Sequence, residues 1–82
     1  MKSNVGEVFV PGQVWQTSRG GLWKVLEYDY SKGMKRVLMR AGEDGSGRKQ
    51  YRLWDAVGNW SIWIHADGTP TPSCEKSRAS YA

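Results

Sequence analysis

Arg36, Arg40, Arg48 and Arg52 stand in two pairs, each pair four residues apart, on either side of the glycine-rich stretch AGEDGSG at 41–47. A guanidinium donates paired hydrogen bonds to phosphate or carboxylate and also stacks on a nucleobase, so arginines gathered on one surface suit an anionic polymer. Trp54 and Trp63 are the candidates for the flat face on which an unpaired base stacks. Other chemistry is thinly provided for. His65 is the only histidine and Cys74 the only cysteine, and neither has a sequence neighbour suited to make it a base or a nucleophile. Glu27, Asp29, Glu43, Asp44 and Asp55 fall mostly in turn-like stretches, where Asp serves turn chemistry. No spacing of His, Cys or carboxylate matches a metal site, so neither metal nor cofactor is expected. AGEDGSG lacks the GK[ST] ending of a phosphate loop, and the two acids at its tip would repel a phosphate. The expectation is a binding module without enzymatic activity.

The elements that must position these residues are short. Glycines and turn dipeptides cut the chain into segments rich in Val, Ile, Tyr and Trp, which suit a pleated surface. Strands are predicted at 14–16, 22–30, 34–41, 48–54 and 60–65. The breaks between them are Arg19-Gly20-Gly21, Ser31-Lys32-Gly33, the 42–47 loop, and Asp55–Asn59, which fits a single 3₁₀ turn. From Ala66 the chain reads ADGTPTPSCEKSRASYA, two prolines in a Thr/Ser-rich context, and is predicted to be a disordered tail. The organisation expected is a flexible N-terminus at 1–7, one β domain at 8–65 and the tail at 66–82.

The hairpin at 35–54 carries the functional argument. With 41–47 as its loop, opposed residues sum to 88, so Arg36 faces Arg52 and Arg40 faces Arg48 on one side. The other side carries the pairs Val37/Tyr51 and Lys35/Leu53, with Met39/Lys49 near the loop. That side is the more apolar and is predicted to face the core, which leaves four arginines outside. Like charges directly opposite one another cost some tenths of a kcal/mol in a sheet, so a face of this kind is suited to an external anion. Charge on a strand also keeps sheet edges from aggregating, and a one-residue slip of register sends every side chain to the other face. A solvated face therefore stays open as the alternative. Trp15, Trp23 and Trp60 alternate with apolar neighbours and are assigned to the core. Tyr28 and Tyr30 are read as a strand end that closes the domain.

Length and charge frame these readings. An 82-residue chain makes one domain with a thin core, and its five Trp, four Tyr and one Phe supply the bulk. The net charge is +4, and nine of the cations against six of the acids lie between Val5 and His65, so the excess belongs to the folded part. This favours polyanionic partners. A single cysteine excludes an internal disulfide, and no apolar run is long enough to cross a bilayer, so a cytoplasmic protein with no membrane role is expected.

Five short strands in a meander, with a turn of 3₁₀ helix before the last, resemble an SH3-like small barrel. The residues that carry the resemblance are Val10-Pro11-Gly12-Gln13-Val14-Trp15 and Gly20-Gly21-Leu22-Trp23-Lys24-Val25, which look like the first hairpin of the KOW and Tudor types. The layout over residues 8–65 is also similar to small SH3-like proteins encoded by phages and prophages. The resemblance implies an all-β fold and a binding role. No aromatic cage of the Tudor type is carried over, because its positions do not match this chain one by one. Three partners stay open: nucleic acid or another polyanion at Arg36, Arg40, Arg48, Arg52, Trp54 and Trp63; a protein partner; and a second copy of the chain.

Overall fold

The computed structural model describes residues 7–79. Five strands, β1 (Val14–Gln16), β2 (Leu22–Asp29), β3 (Arg36–Ala41), β4 (Lys49–Leu53) and β5 (Ser61–Ile64), precede one helix, α1 (Pro72–Ala79). All pairings are antiparallel, and the strands form one sheet in the order β4-β3-β2-β1-β5. Each predicted strand is present, with its ends moved by no more than two residues. Of the expected N-terminus at 1–7, only Glu7 falls within the described residues.

Local chemistry explains the turns. Asp29, Asp44 and Asp67 each accept a hydrogen bond from the backbone N–H two residues on, at Ser31 (3.0 Å), Ser46 (3.1 Å) and Thr69 (2.9 Å). A short carboxylate that folds back on its own backbone in this way defines an Asx turn. Between β1 and β2, the Thr17 hydroxyl does similar work, accepting from the N–H groups of Arg19 and Gly21.

The core joins Trp15, Val25, Val37 and Met39 on the inner face of the sheet to Phe9 and Val57 from the segments before β1 and after β4, with Trp23, Tyr28, Trp54, Trp60 and Ile62 packed around them. Phe9 meets Trp15 and Trp60 edge to face, at centroid distances of 5.0 and 5.7 Å. A buried indole needs a partner for its N–H. Gln13, itself buried, provides it: its Oε1 accepts from Trp15 Nε1 at 2.7 Å and from the Val10 N–H at 2.6 Å. Trp15, Trp23 and Trp60 thus take the core positions expected of them, the last two at its margin.

Three expectations are corrected. The sheet does not close into a barrel; β4 and β5 are its two ends. The segment before β1 is instead tied to the end of β4, where the Phe9 N–H donates to the Trp54 carbonyl at 2.8 Å. Between β4 and β5 there is no 3₁₀ helix but two successive turns, closed by Ala56 N–H to Leu53 C=O (3.0 Å) and Trp60 N–H to Val57 C=O (2.9 Å). Gly58 separates the two turns from a continuous helix by its positive φ of 51°.

The third correction is the tail, which is ordered as far as 79. Asp67-Gly68 turns the chain back along β5: His65 N–H donates to Thr69 C=O, Thr71 N–H donates to Trp63 C=O, and Ile64 bridges Pro70. Thr71 then caps α1, its Oγ1 accepting from the Cys74 N–H at 3.3 Å, and Pro72 begins the helix where a missing N–H costs nothing. The helix packs on β5 and buries Cys74 completely. Gly12 accommodates this return: its φ is 101°, and a Cβ there would stand 2.8 Å from the Ala66 carbonyl oxygen.

Candidate nucleic-acid interface

The β3–β4 hairpin is closed differently from its symmetric reading. Ala41 N–H donates to Arg48 C=O at 2.9 Å while Gly47 N–H donates to Ala41 C=O at 2.8 Å, so two residues oppose one, as in a β-bulge. Only glycine fits there, because a Cβ on residue 47 would lie 2.7 Å from that of Ala41. The extra residue moves the register by one. Arg36 pairs with Leu53, Val37 with Arg52, Leu38 with Tyr51, Met39 with Gln50 and Arg40 with Lys49.

The four arginines therefore do not share a face. Arg36 and Arg40 lie outside, as expected, and β3 turns Val37 and Met39 inward, also as expected. On β4 the faces are exchanged: Lys49, Tyr51 and Leu53 are exposed while Arg52 stands opposite buried Val37. Arg52 is part of the core margin. Its guanidinium lies 4.7 Å from the Trp60 ring centre and 5.9 Å from that of Phe9, and its Nε and Nη2 donate to the Ala56 carbonyl at 3.2 and 2.6 Å. Arg48 is exposed at the end of the hairpin, 5.8 Å from the Trp23 ring. Arg36 is held by an ion pair to Asp29 at 2.7 Å and lies 4.7 Å from the Tyr51 ring.

The two tryptophans proposed as stacking platforms lie elsewhere. Trp54 is half-buried against the core, with Lys35 Nζ 4.6 Å from its ring and 4.8 Å from that of Tyr28. Trp63 is on β5, at the opposite end of the sheet from the hairpin, where the β1–β5 register shifts. It lines a cleft of about 440 Å³ together with Gln16, Ser61, His65, Thr71 and Ser73.

What the structure assembles instead is a row. Lys24 on β2 pairs with Arg40 on β3, and Arg40 pairs with Lys49 on β4, so three cations from three adjacent strands stand side by side on the outer face. The row continues away from β4 through Val14 and Ile64, which pair with Lys24 and with each other. It is thus apolar where α1 packs on β5 and basic towards β4. Tyr51 and Leu53 are exposed beside Lys49 on the same side of β4. Lys24 and Lys49 were not singled out by the sequence, because the alignment of Lys49 depends on the bulge at Gly47 and that of Lys24 on the register shift between Val25 and Glu27. Neither Phe9 nor Gln13 carries a pattern that marks it; the cue for Gln13 is the need of a nearby buried Trp for an acceptor.

Of the acids on this face, Asp44 and Asp29 are committed, while Glu27, paired with Leu38 in the adjacent row, is exposed. The Asp44 carboxyl is held below its ordinary pKa, chiefly by hydrogen bonds from the Ser46 hydroxyl and backbone and further by the charge of Lys24. Asp29 is lowered by the Ser31 backbone and side chain and then by Arg36. The 42–47 loop bends over β2, bringing Gly45 against Lys24 and Leu26, so the loop with Asp44 lies at the Lys24 end of the row. Arg40 is steered by the same loop, its Nε donating to Gly47 C=O at 2.7 Å, while the side chain stays exposed.

Among the described residues no group of three His, Cys, Asp or Glu side chains is placed to hold a metal ion, and no helix is long and apolar enough to cross a membrane. No family model matches the chain, and neither does any curated protein or any solved structure.

Proposed function

We propose that the chain is a small non-enzymatic module that binds single-stranded nucleic acid on the outer face of its β2-β3-β4 sheet. Lys24, Arg40 and Lys49 contact the phosphates, and exposed Tyr51 offers a ring for a base. The observation that carries this reading is the cation row. Two consecutive cross-strand pairs of like charge oppose folding, and a row interrupted by an acid would be more stable. Phosphates spaced along a backbone supply the missing counter-charge. The reading takes the meander, with its tie between Phe9 and Trp54, as an opened SH3-like layout, and places the protein in the cytoplasm.

The test is fluorescence anisotropy of a labelled single-stranded oligonucleotide over a salt series. Three cations each releasing a counterion give a slope of log affinity against log salt of about −2, a loss of roughly 20-fold between 50 and 200 mM. Arg40→Glu with Lys49→Glu is expected to abolish binding at low salt without unfolding the chain. Lys32→Glu with Lys76→Glu makes the same charge change at exposed positions away from the row and is expected to retain most of the affinity. Absence of binding by the unaltered protein at low salt, or equal losses from the two double variants, refutes the site.

A further inference from the structure

The two ends of the sheet are treated differently. The C-terminal end of β5 is covered by residues 69–71, which bond to His65 and Trp63. The edge of β4 has no such cover among the described residues. The ladder bonds Ala41 N–H to Arg48 C=O and Trp54 N–H to Lys35 C=O place the inward-pointing amides of this strand at 48, 50, 52 and 54. Antiparallel pairing alternates inward and outward groups, so the amides of Lys49, Tyr51 and Leu53 point away from the sheet. Tyr51 and Leu53, each 43% exposed, are large apolar side chains on that same edge.

We infer that β4 pairs antiparallel with β4 of a second copy about a two-fold axis at Tyr51, joining two sheets into one of ten strands. The register chooses this occupant. With the axis at Tyr51, Lys49 faces Leu53 of the other copy and Arg52 faces Gln50, so every cation of the strand meets a neutral residue. Moving the axis by one residue to Gln50 keeps the outward amides of Lys49 and Tyr51 in step but sets Arg48 against Arg52, like charges opposed. About Tyr51 the two tyrosines exchange both backbone hydrogen bonds, and on either side Leu53 N–H donates to Lys49 C=O. The stem of each Lys49 then lies along a Leu53, and the two Tyr51 rings meet at the axis. Because residues 69–71 block the C-terminal end of the other edge, the assembly closes at two copies.

This inference shares Tyr51 and Lys49 with the nucleic-acid reading but does not rest on it, and salt separates the two. Each copy carries a formal charge of +4, so screening strengthens the dimer, whereas it weakens contacts to phosphate. Sedimentation of nucleic-acid-free protein over a concentration series up to about 1 mM is expected to show the mass rising towards twice 9.3 kDa, more readily at higher salt. Tyr51→Lys places like charges on the axis and is expected to give a monomer with unchanged far-ultraviolet circular dichroism. Leu53→Glu is expected to tighten the dimer by several-fold, since the carboxylate then faces Lys49. An unspecific apolar contact would respond in the opposite sense, weakening on Leu53→Glu. That weakening, a mass of one chain at every concentration, or a dimer that survives Tyr51→Lys overturns the inference.

Discussion

Replacing Arg52 by Ala is the perturbation that separates the observed hairpin register from the symmetric one. In the structure, Arg52 faces Val37 and Trp60 on the inner side of the sheet, and two of its N–H groups satisfy the Ala56 carbonyl in the turn after β4. A cation over an aromatic ring contributes about 0.5–2 kcal/mol, and hydrogen bonds from a charged donor about 1.5–3 kcal/mol. Both are made by one guanidinium and overlap, so the loss expected for Arg52→Ala is about 2–3 kcal/mol. An 82-residue domain has a total stability of roughly 4–12 kcal/mol, so the variant forfeits a large share of it. Arg52→Lys keeps the stem and the charge but cannot present the planar fork, and is expected to recover about half of the loss. Tyr51→Ala is the internal comparison, since that ring is exposed and its removal is expected to cost about 1 kcal/mol or less. Urea unfolding followed by tryptophan fluorescence and by circular dichroism measures all three under one condition. If Arg52→Ala costs less than about 0.5 kcal/mol while Tyr51→Ala costs several, the faces of β4 are the reverse of those described and the bulge at Gly47 is absent.

Two further outcomes are expected. Ending the chain after His65 removes the cover of β5 and the helix that packs Cys74 on the sheet, so the unfolding free energy measured in urea is expected to fall by about 2 kcal/mol or more; a free tail would leave it unchanged. The Asp67 carboxyl is held below its ordinary pKa by the Thr69 backbone and hydroxyl and by His65, and Asp29 and Asp44 are lowered by their own turns. A depressed folded pKa contributes stability at pH values above the unfolded pKa and loses it as the pH falls through the folded one. The turns are therefore expected to loosen below about pH 4, seen as carboxyl chemical shifts that titrate below those of a model peptide.

The strands were legible because their boundaries are written in residues with one local meaning. Asp29, Asp44 and Asp67 are each followed two positions later by Ser or Thr, and each makes the turn that this spacing allows. Gly20 and Gly42 take positive φ where the chain reverses. Register was not legible, since it hangs on a single glycine. Nothing in AGEDGSG states that Gly47 doubles up with Arg48 opposite Ala41, yet that doubling exchanges the two faces of β4 and with them the company of every arginine there. The tail was misread for a related reason. TPTP reads as a breaker when prolines are counted, but Thr71-Pro72 followed by Glu75 is also how a helix begins, and the choice between these is made by tertiary contact with β5.

Cys74 gives the last element of the chain a built-in probe. Its thiol is fully covered although it sits on a helix of only two turns whose neighbours on both sides, Ser73 and Glu75, are exposed. Such a thiol meets an alkylating reagent only when the helix lifts from the sheet. The rate at which it is labelled under native conditions thus counts excursions of this one segment, apart from any unfolding of the strands, and provides a direct comparison of the local opening free energy with the global one.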